Sequence, residues 1–372
     1  MNIQVLQEDL IKALNTSSHF VSTKPQLPIL GNFLLEAGNL KLGIRATNLE
    51  MSVSSAIGAK IEKEGSVAIP AKTFLEIISN LRNGPVSLIL EKEQLKVENA
   101  DFKGQLTTNP VNDFPKIPNV IDNKKSFTLE SSKLIDTLSE ILFSCSQDET
   151  RPILTGVLFI FKDKKITLVS SDGFRLSKKE ISLEKALSPK IEGKKIVIPR
   201  SSLIELTKIA KEEKLLIFEL KEDENQLIIK IGETFVTSRL IEGEFPNFEK
   251  IIPSSSTTKV FLSKEDLKRA IKLSSVFAKG DGGVVKITIN EDSIEVSSQN
   301  AAVGKDVSKV EAKVEGGILD ISFNFKFLEE FLNQVEGEGV EINLTDSVSP
   351  AIFVDPKNKE FLHLIMPVRI QS

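Results

Sequence analysis

The feature that most restricts the fold of this chain is a long internal repeat. Residues 6–14 read LQEDLIKAL, residues 129–138 LESSKLIDTL and residues 262–271 LSKEDLKRAI, with Leu10, Leu134 and Leu267 in equivalent places 124 and 133 residues apart. Each follows an alternating run (NIQV, KSFTL, TKVFL). That pattern predicts a strand feeding an amphipathic helix, with Ser131 and Ser263 as N-caps. KPQLPILGNFLLE at 24–36 against TRPILTGVLFIF at 150–161 sets Pro28 opposite Pro152, again 124 residues apart. A second helix unit recurs at 65–81 (GSVAIPAKTFLEIISNL), at 194–210 (KKIVIPRSSLIELTKIA) and, more weakly, at 318–335 (ILDISFNFKFLEEFLNQV). Hairpin-like strands follow each one, closing at Phe114–Pro115, Phe245–Pro246 and Met366–Pro367.

Each copy of about 125 residues therefore holds two similar halves, each with one helix and about four strands. A helix that is apolar on one side must lie across the inner face of a sheet, and two halves can share one core. The period is too long for a solenoid unit of about 20–50 residues. The expected fold class is α+β, with three similar domains in line at 1–122, 123–255 and 256–372, divided at the polar seams NVIDNKK (119–125) and PSSSTTK (253–259).

Composition narrows the chemistry. One cysteine, Cys145, excludes an internal disulfide framework and a multi-thiolate metal site, and two distant histidines, His19 and His363, supply no ligand spacing. There is no GxxxxGK[ST] loop and no strand–GxGxxG–helix. No run approaches the ~20 apolar residues of a membrane span, and the start MNIQVLQEDLIKAL is unlike a secretory leader, so a cytoplasmic location is expected. An enzyme would have to use scattered carboxylates such as Asp148, Asp172 and Asp346, each where a strand turn is expected, with no nucleophile–base pair beside them.

The net charge of −4, from 48 basic and 52 acidic residues, argues against a tight grip on nucleic acid unless basic residues gather on one surface. The repeated helices offer such a surface. Lys264, Lys268 and Lys272 recur at four-residue spacing. Lys12, Arg82, Lys133, Arg200, Lys208, Lys211 and Lys326 stand on or beside the other helices, mixed with Glu8, Asp9, Glu205, Glu329 and Glu330. No base-reading module is present, so any contact with nucleic acid would be to backbone and indifferent to sequence.

Several stretches together, TKPQLPILGNFLLE (23–36), ATNLEM (46–51), VAIPAKTF (67–74), SSDGFRLS (170–177), IPRSSLIEL (198–206), SRLIEGEFPNF (238–248), LTDSVSP (344–350) and LIMPVRI (364–370), resemble the beta sliding clamp family of bacterial DNA polymerase III. They run from the first strand to the last residues in the family's order. The resemblance implies a non-catalytic processivity factor without cofactor or metal. It implies a head-to-tail homodimer whose six domains close a ring around duplex DNA, helices lining the hole and sheets outside. The implied partners are double-stranded DNA irrespective of sequence, the polymerase III catalytic subunit, the clamp loader, and other polymerases and repair proteins that dock by short linear motifs.

Residue by residue, the resemblance implies an apolar peptide groove formed by Leu154, Ser171, Gly173, Phe174, Arg175, Leu176, Pro246, Lys250, Ile251, Val348, Pro350, Met366, Pro367, Val368, Arg369 and Ile370. Asp172 and Gly173 then form a strand turn. Phe174 stands where a well-known form of the family has His, and Pro350 where it has Ser; the tail extends two residues further, as Gln371–Ser372. The basic residues named above become DNA-facing. Lys24 joins them, as do Gln147 and Arg151 of a second loop in which Asp148 is a poor phosphate partner. The dimer contact is expected near 100–110 and 270–302, through Phe102, Leu106, Ile271 and Leu273, with the glycine-rich SVFAKGDGG (275–283) as a loop beside it. Sequence leaves one rival open, a scaffold without DNA at its centre.

Overall fold

The computed structural model describes residues 1–22, 27–123, 125–183, 187, 190–279 and 282–369. Lys24, Ile370 and the Gln371–Ser372 tail fall outside the described residues. The six repeated helices form as α1 (Gln7–Ser18), α2 (Ala71–Asn80), α3 (Ser131–Ile141), α4 (Arg200–Ile209), α5 (Lys264–Ala278) and α6 (Phe325–Gln334). Apolar spacing is the cause: α1 buries Leu10, Ala13, Leu14 and Ser17, and α5 buries Leu267, Ala270, Ile271, Ser274 and Ala278. Ser263 caps α5 by accepting from the Asp266 N–H, as expected. Ser131 does not cap α3. It is the first helical residue, and its hydroxyl donates to Ala210 O at 2.7 Å. The segment read as a loop at 275–283 is partly helix, because α5 continues to Ala278.

The chain divides into two units that do not follow the repeat boundaries. The first contains Met1–Ile135, Ser188–Ile191 and Ser201–Leu240. It holds a five-stranded antiparallel sheet in the order Lys60–Lys63, Asn2–Leu6, Pro85–Glu91, Gln94–Asn99, Phe102–Thr107. Its second sheet has eight strands, in the order Ser126–Glu130, Leu215–Lys221, Gln226–Ile231, Thr234–Arg239, Met51–Gly58, Lys41–Thr47, Asn32–Gly38, Gly65–Pro70. The seam between first and second repeats lies inside this sheet, where Val236 pairs with Val53. Leu10, Leu14, Phe33, Leu35 and Phe74 are fully buried in the core of this unit.

The second unit contains Asp136–Leu187, Glu192–Arg200 and Ile241–Ser372. Its strands run Lys195–Pro199, Gly156–Lys162, Lys165–Ser171, Arg175–Ser182, Asn358–Ile365, Ala351–Asp355, Gly339–Leu344, Thr258–Ser263, Gly304–Glu315, Ser293–Asn300, Val284–Ile289, Leu319–Asn324. Here the second and third repeats join, Leu176 opposite Leu364. Strands that would be open edges within one repeat are thus paired by the next, which satisfies their backbone N–H and C=O groups. Phe323, Phe331, Phe353 and Phe361 fill the core beneath, and His363 stacks on Phe331 at 5.2 Å between centroids.

Candidate functional site

The join at Leu176–Leu364 positions the candidate site. The strand Arg175–Ser182 begins immediately after the turn Asp172–Phe174, and its neighbour Asn358–Ile365 leads directly into Met366. Asp172 organises the turn: Oδ1 accepts from the N–H groups of Phe174 (2.9 Å) and Arg175 (3.0 Å). The Ser171 hydroxyl donates to Arg175 O at 2.7 Å and accepts from Gly173 N, 3.1 Å away. Gly173 sits at φ +92°, a conformation that favours glycine; a Cβ there would lie 3.0 Å from the exposed Arg151 guanidinium, which can shift aside. The Met366 N–H donates to Phe174 O at 2.8 Å and the Val368 N–H to Ser322 O at 2.8 Å, which docks the chain beyond its last strand.

A cavity of ≈ 160 Å³ opens beside this turn, lined by Leu154, Ser171, Gly173, Arg175, Leu176, Pro246, Ile251 and Met366 of the expected groove. Phe245, Asn247, Phe248 and Leu364 complete the lining and were not singled out from the sequence. Phe245 belonged to the recurring Phe–Pro closure and Leu364 to the alternation of the last strand, which were the available signals. The floor is an apolar cluster of Leu158, Val169, Leu176, Val197, Phe248 and Leu364. Phe174 and Val348 do not line the cavity and expose more than half their surface, at 59% and 52%. Lys250 and Arg369 are exposed, and Pro350, Pro367 and Val368 are half-buried, all outside the lining. The arrangement can accept one or two aliphatic or aromatic side chains in a socket with an adaptable methionine wall.

The carboxylates that an enzyme reading would need are spent on turns. Asp148 is held below the usual carboxylate range by the hydroxyl and N–H of Thr150. Asp346 is held low in the same way by the N–H of Val348 and by Ser349. Among the described residues no group of His, Cys, Asp and Glu is placed to hold a metal ion.

The basic candidates separate into two kinds. In the first unit Lys12 pairs with Glu212 (2.9 Å), Arg82 with Asp101 (3.0 Å), Lys133 with Glu130 (2.7 Å) and Lys208 with Glu205 (2.8 Å), while Lys211 is exposed. In the second, Lys272, Lys326 and Gln147 are exposed and Lys268 is half-buried. Arg151 is exposed too, and its Nη2 reaches Asp172 O at 3.4 Å. Two candidates have structural partners instead. Lys264 Nζ donates to Val335 O at 2.6 Å, at the C-terminal end of α6 where a cation is favoured. Arg200 Nε donates to Leu142 O at 3.1 Å. Exposed ion pairs such as Lys12–Glu212 add little to stability and yield readily to a phosphate.

One dimer candidate is corrected. Ile271 is fully buried on the inward side of α5 and offers nothing to a partner, whereas Leu273 and Val276 on its outer side are 53% and 56% exposed. Phe102 and Leu106 are half-buried on Phe102–Thr107, the outermost strand of the five-stranded sheet. Phe102 also borders a concavity of ≈ 310 Å³ with Thr73, Glu76, Ile77, Asn80 and Leu81.

Comparison with known proteins is uniform across the chain. Family models described as the DNA polymerase III beta subunit N-terminal, central and C-terminal domains match residues 1–118, 128–247 and 249–369. The chain is 26% identical to the beta sliding clamp of Proteus mirabilis and 27% identical to that of Chlamydia muridarum, each over the full length of both proteins. Its structure is similar to the Bacillus subtilis DNA polymerase sliding clamp, with a TM-score of 0.94 at 26% identity. It is similar also to the Thermotoga maritima DNA polymerase III beta subunit, at 0.90 and 26%. Both comparisons cover all of each chain.

Proposed function

The chain belongs to the DNA polymerase III beta subunit family, and from that membership we propose how its own residues perform the work of a sliding clamp. The function is that of a DNA sliding clamp in replication. The observation that carries it is the succession of all three family domains along the whole chain. We take their limits as 1–122, 123–255 and 256–372, and the protein's place as the cytoplasm at the nucleoid. Among the described residues no helix is long and apolar enough to cross a membrane.

A clamp held by topology needs little affinity for DNA, because release requires an interface to open. Weak, screened attraction from exposed Lys and Arg then suffices, and strong attraction would slow sliding. This reconciles a net charge of −4 with a polyanionic partner. The reading assigns the DNA contact to the cations on or beside the helices, the exposed Lys12, Lys211, Lys272 and Lys326 foremost, with Arg151, Gln147 and the half-buried Lys268. It assigns the chain no catalytic step.

Ring closure is proposed through two sheet edges of different protomers. In one, strand Phe102–Thr107 has one side without a partner strand among the described residues. In the other, residues 304–311 of Gly304–Glu315 pair with Ser293–Asn300, while the pairing with Thr258–Ser263 begins only at Ala312. Exposed Leu273, Val276, Val303 and Val307 supply apolar contact there. The socket beside Met366 is proposed to receive the short linear motifs of the polymerase, the loader and repair proteins.

Three measurements test this. Size exclusion should give twice the chain's mass, and protein loaded onto nicked circular DNA should be retained until the circle is linearised. A monomer, or equal retention on linear DNA, would sink the ring and leave the scaffold reading. Replacing Met366 and Pro367 together should abolish binding of a motif peptide while leaving the dimer intact; unchanged affinity removes them from the site.

A further inference from the structure

Arg175 lines the cavity, yet only 7% of its surface is exposed and each of its three guanidinium nitrogens already donates to the protein. Nε donates to Asp172 Oδ2 at 2.9 Å, Nη2 donates to Phe143 O at 2.8 Å, and Nη1 pairs with Glu330 on α6. The rings of Phe327 and Phe143 lie 4.5 and 5.2 Å from the guanidinium carbon and cover its faces. Little of the group remains for a ligand.

What this group holds is the turn. Phe174 is 59% exposed, so its direction depends largely on its backbone. That backbone hangs on Asp172 Oδ1, and the other oxygen of Asp172 hangs on Arg175. The same turn receives the Met366 N–H at Phe174 O, so both groove walls share one anchor. A planar guanidinium can serve Asp172, Phe143 O and Glu330 together; a lysine ammonium cannot reach all three in that geometry.

We propose that Arg175 is a positioning residue for partner binding. It ties the Asp172–Phe174 turn to α6 and so aims Phe174 at a bound peptide, its nitrogens spent on the protein rather than on that peptide. The inference rests on the groove reading given above. It also makes Phe174 the groove residue whose effect depends on the tie.

A double-mutant cycle tests it, with fluorescence anisotropy on a labelled synthetic peptide carrying one glutamine and a Leu–Phe anchor pair. Arg175→Lys should weaken binding about tenfold and Glu330→Gln about threefold, with dimer mass unchanged. In a Phe174→Ala background the Arg175→Lys effect should shrink below about twofold, because there is no longer a ring to aim. The full tenfold loss persisting in that background would mean direct contact with the peptide and would overturn the proposal, as would no loss from Arg175→Lys. Should Arg175→Lys fail to fold, Glu330→Gln with and without Phe174→Ala completes the same cycle. If the unaltered protein binds no such peptide, the groove reading itself fails, which is a separate result.

Discussion

Below the groove, His363 gives the most quantitative handle on the packing. Its ring is fully buried, stacks on Phe331, and shares a hydrogen bond between Nδ1 and Ser177 Oγ at 2.8 Å. Ser177 in turn bonds Ser144 at 2.8 Å, and Nε2 meets no polar partner among the described residues. Burial first, and the cation of Arg175 second, push the imidazole pKa from 6.5 to about 3. An unfolded chain takes up this proton near pH 6.5, whereas the native chain refuses it until about pH 3. The contribution to stability is therefore full above the unfolded value and is lost progressively as pH falls between the two. Linkage puts the loss at about 2 kcal/mol between about pH 7 and about pH 5. Replacing His363 by Phe removes the titration, so denaturant unfolding at fixed protomer concentration should show the wild type losing that amount relative to the variant. With only two histidines in the chain, imidazole NMR signals are simple to assign. Those of His363 should stay at neutral-ring positions from about pH 8 to about pH 5. A midpoint near 6.5, or a stability difference that ignores pH, would refute the burial reasoning.

Three other outcomes are expected. Glu140 and Lys179, whose side chains are 9% and 12% exposed, pair at 2.5 Å, so Glu140→Gln should cost about 3 kcal/mol by leaving a buried ammonium; urea unfolding showing under about 1 kcal/mol would contradict this. Burial pushes the Cys145 thiol up to about 12, so iodoacetamide should label the native protein at least about 100-fold more slowly than the unfolded chain, as read by mass spectrometry. Gly173→Ala should cost about 1 kcal/mol in a thermal melt and weaken peptide binding while the dimer persists, since φ is +92°.

Much of this architecture was legible in the chain because helix stripes and strand alternation are local. The spacing of Leu10, Leu134 and Leu267 marked three of the six helices, and Ser263 announced its cap. Local signals misled where a distant partner intervened. Ser131 gave its hydroxyl to Ala210, 79 residues away, and Lys264 gave its ammonium to Val335, 71 residues away. Ile271 and Leu273 look alike as letters on one helix, but the turn of α5 sends one into the core and the other to solvent.

The groove shows the same division. Motif resemblance named Leu154, Gly173, Leu176 and Met366, and the polypeptide turn at Asp172–Gly173 was evident from residue type. Phe245, Asn247, Phe248 and Leu364 emerged only when strands from two repeats paired and closed a cavity. The sequence by itself determined the threefold repeat, the helix and strand content and the α+β class, since these depend on side-chain periodicity and backbone preference over a few residues. Only the tertiary structure decided that the sheets run through the repeat seams, that Arg175 lies buried between Asp172 and Glu330, and which apolar side chains remain outside. Those outcomes depend on which distant surfaces meet, and burial and hydrogen bonding are properties of the meeting.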